Sequence, residues 1–314
     1  MPSPHLSCII YNMTNDEYTN QIFDLPVGGG HKLHIVDWGN PKSETSFIYL
    51  HGGPGGHMRD KSKICFDPTK HRVVFYDQRG CGESTPYGSL KNNNTTTLAE
   101  DIIKIADHLK IDKFNLYGFS WGSTLALYTA INYSSRVNNL IIGGVYIGTN
   151  DLPEMFNYLA TFFPEVHERI LANTPTEYHK NLTKYYQDKA LNGTPSEQKH
   201  ACHVLNTIEG TILSYDSDFR PVESYVDFDP IPTKIETHFI ANKCFLPQGY
   251  IVKNAHKITA NTYIIQGRAD LVCPPAAAYK ISKLIPGAKI YWSKSNHAPE
   301  REQLSLTRTI LALL

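Results

Sequence analysis

The stretch NLYGFSWGSTLAL, residues 115–127, decides the fold. It begins in the apolar run KFNLYG (113–118) and ends in the helical pattern GSTLALYTAINY (122–133). Between them stands Gly118-Phe119-Ser120-Trp121-Gly122. A G-x-S-x-G at a strand-to-helix junction puts its serine on a sharp, strained turn, and the flanking glycines let strand and helix pass closely. Elsewhere the same five residues would be a chance loop, so the setting carries the meaning. A serine hydroxyl is a poor nucleophile at neutral pH and needs a general base that is itself oriented by a carboxylate.

Similar short apolar runs recur on either side: KLHIVDW (32–38), SFIYL (46–50), RVVFYD (72–77), VNNLIIGG (137–144), NTYIIQG (261–267) and AKIYW (288–292). Most are continuous rather than alternating, as expected for strands covered on both faces. Helical patterns such as TTTLAEDIIKIADHLK (95–110) lie between them. This alternation predicts an α/β fold with a mostly parallel, doubly wound sheet. The hairpin around VGGGHK (27–32) is expected at an antiparallel edge. From 146 to 250 the rhythm gives way to helical spacing rich in Tyr, His, Glu and Phe, then resumes at 261. The expected organisation is a core part over 1–145, a helical cap over 146–250 and the rest of the core over 251–314.

The bulk properties exclude several classes of function. Lys plus Arg and Asp plus Glu number 30 each and are scattered without blocks, which argues against nucleic acid or an anionic membrane as partner. Six cysteines are dispersed without CxxC or zinc spacing and read as reduced thiols, hence a cytoplasmic location. The N-terminus does not read as a secretory signal, and no window is apolar enough to span a membrane. No metal or organic cofactor is implied.

In folds of this type the catalytic partners follow in the order serine, acid, histidine. NTYIIQG runs into Arg268-Ala269-Asp270, and AKIYW is followed by Ser295-Asn296-His297. Asp270 and His297 therefore stand just past strands, where a doubly wound sheet places its site. Acyl transfer also needs N–H donors for the developing oxyanion. One donor is the backbone of Trp121, next to the nucleophile; HGGPGG (51–56) supplies the other, from Gly53 or the neighbouring Gly52. His51 reads as a brace for that loop, and Arg79 as an anchor for the DQRGCGES turn (77–84).

HGGPGG, DQRGCGES, GFSWGSTLAL (118–127) and QGRADLVCP (266–274), in that order, resemble the proline iminopeptidases, α/β-hydrolases of the peptidase S33 type. The similarity runs from about residue 21 to the C-terminus. It implies the α/β-hydrolase fold with a helical cap, and a triad of Ser120, Asp270 and His297. It also implies that Glu209 and Glu236 in the cap bind the substrate's free α-ammonium, and that Tyr146 and Phe156 line a proline pocket, with Phe239 as a further contributor. The substrate would be a small peptide with a free N-terminal proline. This chain departs from the family pattern at Phe119, Ile208, Ala269 and Ile240, which is expected to alter the pocket wall. A broader aminopeptidase, an amidase or an esterase is the alternative. A non-catalytic binding module is disfavoured because neither a triad member nor the oxyanion loop is missing.

Overall fold

The computed structural model describes residues 17–148, 152–214, 228–297 and 301–314. The N-terminal segment read above, with Cys8, lies outside the described residues. The strands are β1 (Thr19–Gly28), β2 (His31–Gly39), β3 (Ser46–Leu50), β4 (Arg72–Tyr76), β5 (Phe114–Phe119), β6 (Val137–Gly143), β7 (Asn261–Gly267) and β8 (Lys289–Ser293). They form one sheet in the order β1-β2-β4-β3-β5-β6-β7-β8. The β1–β2 hairpin is antiparallel, as is the pairing of β2 with β4, and from β4 to β8 every neighbour is parallel. Each strand run read from the sequence is a strand here, and the hairpin sits at the edge as expected.

The continuous apolar runs have a simple cause. Side chains alternate across a strand, and this sheet has a core on each face. Ile48, Leu116, Ile142 and Ile264 belong to one cluster, with α1 (Thr95–His108) and α2 (Trp121–Asn132). Phe47, Tyr117, Ile141 and Ile265 face a second, aromatic cluster on the other side. Helix α1 begins at a reciprocal cap, with the Asn94 side chain accepting from the Thr97 N–H and the Thr97 hydroxyl reaching back to the Asn94 N–H.

Between β6 and β7 the described elements are helical: α3 (Leu152–Phe162), α4 (Pro164–Ala172), α5 (Leu182–Asn192), α6 (Pro195–Ser214), α7 (Ile231–Ala241) and the short α8 (Tyr250–Asn254). α9 (Pro275–Leu284) and α10 (Arg301–Leu311) follow β7 and β8. Helices α3 to α6 have a third cluster of their own, containing Phe156, Tyr186, Ile208 and Ile212. Val272 and Cys273, from the loop after β7, join it. No helix among the described residues is long and apolar enough to cross a membrane.

Arg79 anchors its loop as expected. Its guanidinium donates two hydrogen bonds to the Asp101 carboxylate, at 2.6 and 2.8 Å, and further bonds to the Asn92 and Val27 carbonyls. Both side chains are sealed from solvent, at 3% and 0% exposure. Arg79→Ala strands a buried carboxylate and is expected to cost about 3–5 kcal/mol. Lys104, 3.5 Å from Asp101 and 43% exposed, is too well solvated to take over. Urea denaturation measures this directly, and a loss below about 1 kcal/mol would deny Arg79 its anchoring role.

Candidate active site

The parallel strands put all their carboxyl ends on one edge, and the site is assembled there. Ser120 follows β5 directly and has φ 56° and ψ −128°, a backbone conformation costing a non-glycine residue on the order of 1–3 kcal/mol. Neighbours hold it there through the main chain alone. Its N–H donates to the Gly143 carbonyl at 3.0 Å, and its carbonyl accepts from the Ser123 N–H and hydroxyl at 2.8 and 2.6 Å. Gly122 is required for close approach, since a methyl there would lie 2.3 Å from the Leu50 carbonyl oxygen. The elbow inferred from GFSWG therefore has its physical basis in contact between strand and helix.

Asp270 and His297 meet on the same edge. The Asp270 carboxylate is buried and accepts three hydrogen bonds, from the Cys273 N–H at 2.7 Å, the Gln266 amide at 3.1 Å and His297 Nδ1 at 2.8 Å. Because Nδ1–H is committed to the carboxylate, Nε2 is the ring nitrogen left to accept a proton. Burial works against a charged imidazole, but the Cys273 sulfur and the Asp270 carboxylate outweigh it and hold His297 well above the ordinary value. Gly144 lies under this pair with φ 47°, and a methyl there would come within 2.9 Å of the His297 ring. Thus Gly143 grips the serine while its neighbour makes room for the histidine.

The loop after β3 faces the serine. A methyl on Gly52 would lie 3.5 Å from Ser120 Cβ and 4.0 Å from its Oγ, while Gly53 takes φ 110°. His51 is a brace, as expected: Nε2 accepts from the Gln78 N–H and Nδ1 donates to the Gly52 carbonyl, both at 3.0 Å. Burial lowers its pKa to about 4, so the ring is neutral at physiological pH. The far side of the loop touches the helical segment, since a methyl on Gly55 would strike the Pro232 carbonyl of α7 at 2.2 Å.

Glu209 on α6 and Glu236 on α7 come together as a hydrogen-bonded pair of carboxyl groups, both within electrostatic reach of His297. Each is partly buried as a residue, yet burial is the leading cause that raises both pKa values. The charge on Glu209 pushes Glu236 further, well above the carboxylate range. The shifts favour a proton held between the two carboxyl groups, carried by Glu236 and donated to Glu209. The helical segment is also fastened to the histidine loop, where the Asn296 amide donates to the Leu213 carbonyl at 2.9 Å.

The aromatic residues divide. Tyr146 lies at the seam between the sheet cluster and the helical cluster. Its N–H donates to the Ser123 hydroxyl at 2.9 Å and its carbonyl accepts from Thr124 at 2.7 Å, which ties it to the first turn of α2. Phe156 is 6% exposed and stacks on Tyr186 inside the helical cluster. Phe239 is core, edge-on to Trp121 at 4.9 Å. Two departures from the family pattern are placed as follows: half-buried Phe119 packs with Tyr117 against the aromatic cluster on the other face of the sheet, and Ile208 is fully buried among the helices.

Three residues with clear roles in this geometry were not singled out from the sequence: Gly144, Gln266 and Gln78. Gln266 accepts from the Val145 N–H and donates to Asp270 and to the Cys273 carbonyl, joining the end of β6 to the acid loop. Both glutamines lie inside quoted motifs, QGRAD and DQRG, which would have been the available signal.

Comparison with known proteins agrees with this geometry. Residues 45–299 match the model of the α/β-hydrolase fold family. A probable proline iminopeptidase of Leptolyngbya boryana is 31% identical over 272 residues, covering 85% of this chain and 84% of that protein. The proline iminopeptidase of Arabidopsis thaliana is 32% identical over 275 residues, covering 85% of this chain and 72% of its own. Among solved structures, a proline iminopeptidase from Mycobacterium smegmatis superimposes with a TM-score of 0.60 at 18% identity, covering 93% of this chain and 97% of that one, a likeness of fold. The chain belongs to the α/β-hydrolase fold family and, within it, to the proline iminopeptidases.

Proposed function

We propose that the protein is a cytoplasmic serine aminopeptidase that releases N-terminal proline from small peptides through an acyl-enzyme. Ser120 Oγ attacks the scissile carbonyl while His297 Nε2 takes its proton; Asp270 fixes the imidazole tautomer and stabilises the imidazolium. The N–H of Trp121 and one from Gly53, or from Gly52 beside it, hold the oxyanion. His297 then protonates the departing amine, and water, activated by the same histidine, releases free proline. A helical cap over 146–250 carries the recognition of the amino end, with Tyr146 at its seam.

The observation that carries this reading is the Glu209–Glu236 pair in reach of His297. A peptide bond has no use for two carboxyl groups in a poorly solvated site, whereas a free N-terminal proline brings a secondary ammonium with two N–H donors. One N–H per carboxyl group satisfies both. The charge match separates a free amino terminus from an internal residue.

The shared proton gives the reading a pH signature. While Glu236 holds the shared proton, an arriving ammonium must displace it to meet both carboxylates. KM for proline β-naphthylamide is therefore expected to fall as pH rises through the raised Glu236 pKa, until the substrate's own amine deprotonates near pH 8. Glu236→Gln is expected to flatten that slope and to raise KM about thirty-fold or more, equivalent to about 2 kcal/mol. Steady-state kinetics between pH 5 and about pH 8 decide it. A Glu236→Gln enzyme with unchanged KM and an unchanged slope would remove the pair from recognition.

A further inference from the structure

Gln78 lies in the turn after β4, is 2% exposed, and stands between two segments that are far apart in sequence. Its backbone N–H donates to His51 Nε2 at 3.0 Å, and its side-chain Nε2 donates to the His51 carbonyl at 3.0 Å. Its Oε1 accepts from the Trp121 indole Nε1–H at 2.9 Å. The loop of residues 51–56 thus hangs from one end of this amide, and the residue next to the nucleophile hangs from the other. The Trp121 side chain is fully buried and is backed by Phe239 of α7.

We propose that Gln78 is the positioning residue that sets the two halves of the oxyanion hole in register, fixing the distance between the Gly52-Gly53 backbone and the Trp121 backbone. The proposal rests on the oxyanion roles given above. Its physical ground is the narrow tolerance of such sites. Donors must lie 2.7–3.1 Å from where the oxyanion will be, and a shift of about 1 Å can cost about 10²-fold. The Trp121 donor is held by the elbow and α2, whereas the other donor belongs to a glycine-rich loop with little side-chain packing of its own. The His51–Gln78 bonds tie the start of that loop to the β4 turn, while Met58 N–H to Asp77 and Gly55 to Cys81 tie its far end, and the indole bond carries the tie across to the elbow. Gln78 touches no reacting atom, so its effect must appear in stabilisation of the transition state and not in binding of the substrate.

Gln78→Met keeps the length of the side chain and removes both amide bonds. It is expected to lower kcat on proline β-naphthylamide about 10- to 100-fold, with KM within about two-fold. Affinity for pyrrolidine-2-boronic acid, whose tetrahedral adduct with Ser120 puts an oxygen in the oxyanion position, should fall in proportion to kcat. Inhibition by proline itself should stay the same. Trp121→Phe keeps the backbone donor but removes the indole N–H together with part of a fully buried ring, so its loss of kcat should be of the same kind, and selective weakening of the boronic acid over proline is what separates the lost bond from the lost packing. In the double variant the two losses should be less than additive, because they share one bond. Trp121→Phe also serves alone if Gln78→Met does not fold.

Equal weakening of the boronic acid and of proline, or an unchanged kcat in folded Gln78→Met, would overturn the proposal and leave Gln78 as scaffold. Failure of the underlying reading looks different. There the unmodified protein would neither hydrolyse the prolyl substrate nor bind the boronic acid.

Discussion

Ser120→Ala is expected to lower kcat on proline β-naphthylamide by about 10⁶-fold while leaving KM and the folded state nearly unchanged. The size of the effect follows from what is lost. Without the hydroxyl no acyl-enzyme forms, and only binding and the oxyanion donors remain, which supply a residual acceleration of about 10³ to 10⁴ over water. The neutrality toward folding follows from how Ser120 is held. Its bonds to Gly143 and Ser123 use backbone atoms that alanine also has, and φ 56° strains both residues alike. Stability should therefore change by no more than about 0.5 kcal/mol. Steady-state kinetics and a fluorophosphonate probe measure the first half, since labelling should vanish with turnover, and urea denaturation measures the second. A folded Ser120→Ala protein that keeps a tenth of the activity would mean that another group does the chemistry.

Asp270→Asn is expected to cost about 10⁴-fold in kcat. The carboxylate faces donors on every side: Cys273 N–H on one oxygen, Gln266 and His297 on the other. An amide supplies one oxygen and one NH₂, so in either orientation the NH₂ confronts a donor. If it turns toward His297, the ring must accept at Nδ1 and carry its proton on Nε2, where it cannot take the proton of Ser120. If it turns toward Cys273, a buried N–H is left facing another N–H. The pH profile gives a second check. Burial pulls the His297 pKa down and its Asp270 and Cys273 neighbours hold it up, so loss of the Asp270 charge should move the acid limb of kcat/KM to lower pH. A loss below ten-fold with an unmoved limb would contradict the role given to Asp270.

Much of this architecture was legible because the determinants are local. An apolar run of five to seven residues with a core on each face reads as a buried strand, and G-x-S-x-G at its end reads as an elbow. The triad order needed only the strand ends. What sequence could not give was side-chain partnership across the fold. Gln78 reaches Trp121, and Gln266 reaches Val145, through pairings that exist only once the sheet is assembled. Other points were within reach of periodicity. Phe119 is two residues past Tyr117 on the same strand and therefore shares its face, away from the helical segment. Phe156 falls between Leu152 and Leu159 at helical spacing, which makes it part of the buried stripe of α3. Glu209, beside buried Ile208 and one turn from Leu205 and Ile212, breaks that logic. A carboxylate next to an apolar stripe needs a partner, and Glu236 is the partner it has.

In the proposed function, two carboxyl groups that demand a free amino terminus turn a serine hydrolase core into an aminopeptidase. The direct measurement is kcat/KM for proline β-naphthylamide against its N-acetylated form, with alanine β-naphthylamide alongside. Acetylation is expected to lower kcat/KM by about 10⁴-fold, as for sites whose buried polar groups are left unpaired, and the prolyl substrate to exceed the alanyl one. Equal turnover of the free and blocked substrates would contradict it, leaving an esterase or amidase in which the Glu209–Glu236 pair has another purpose.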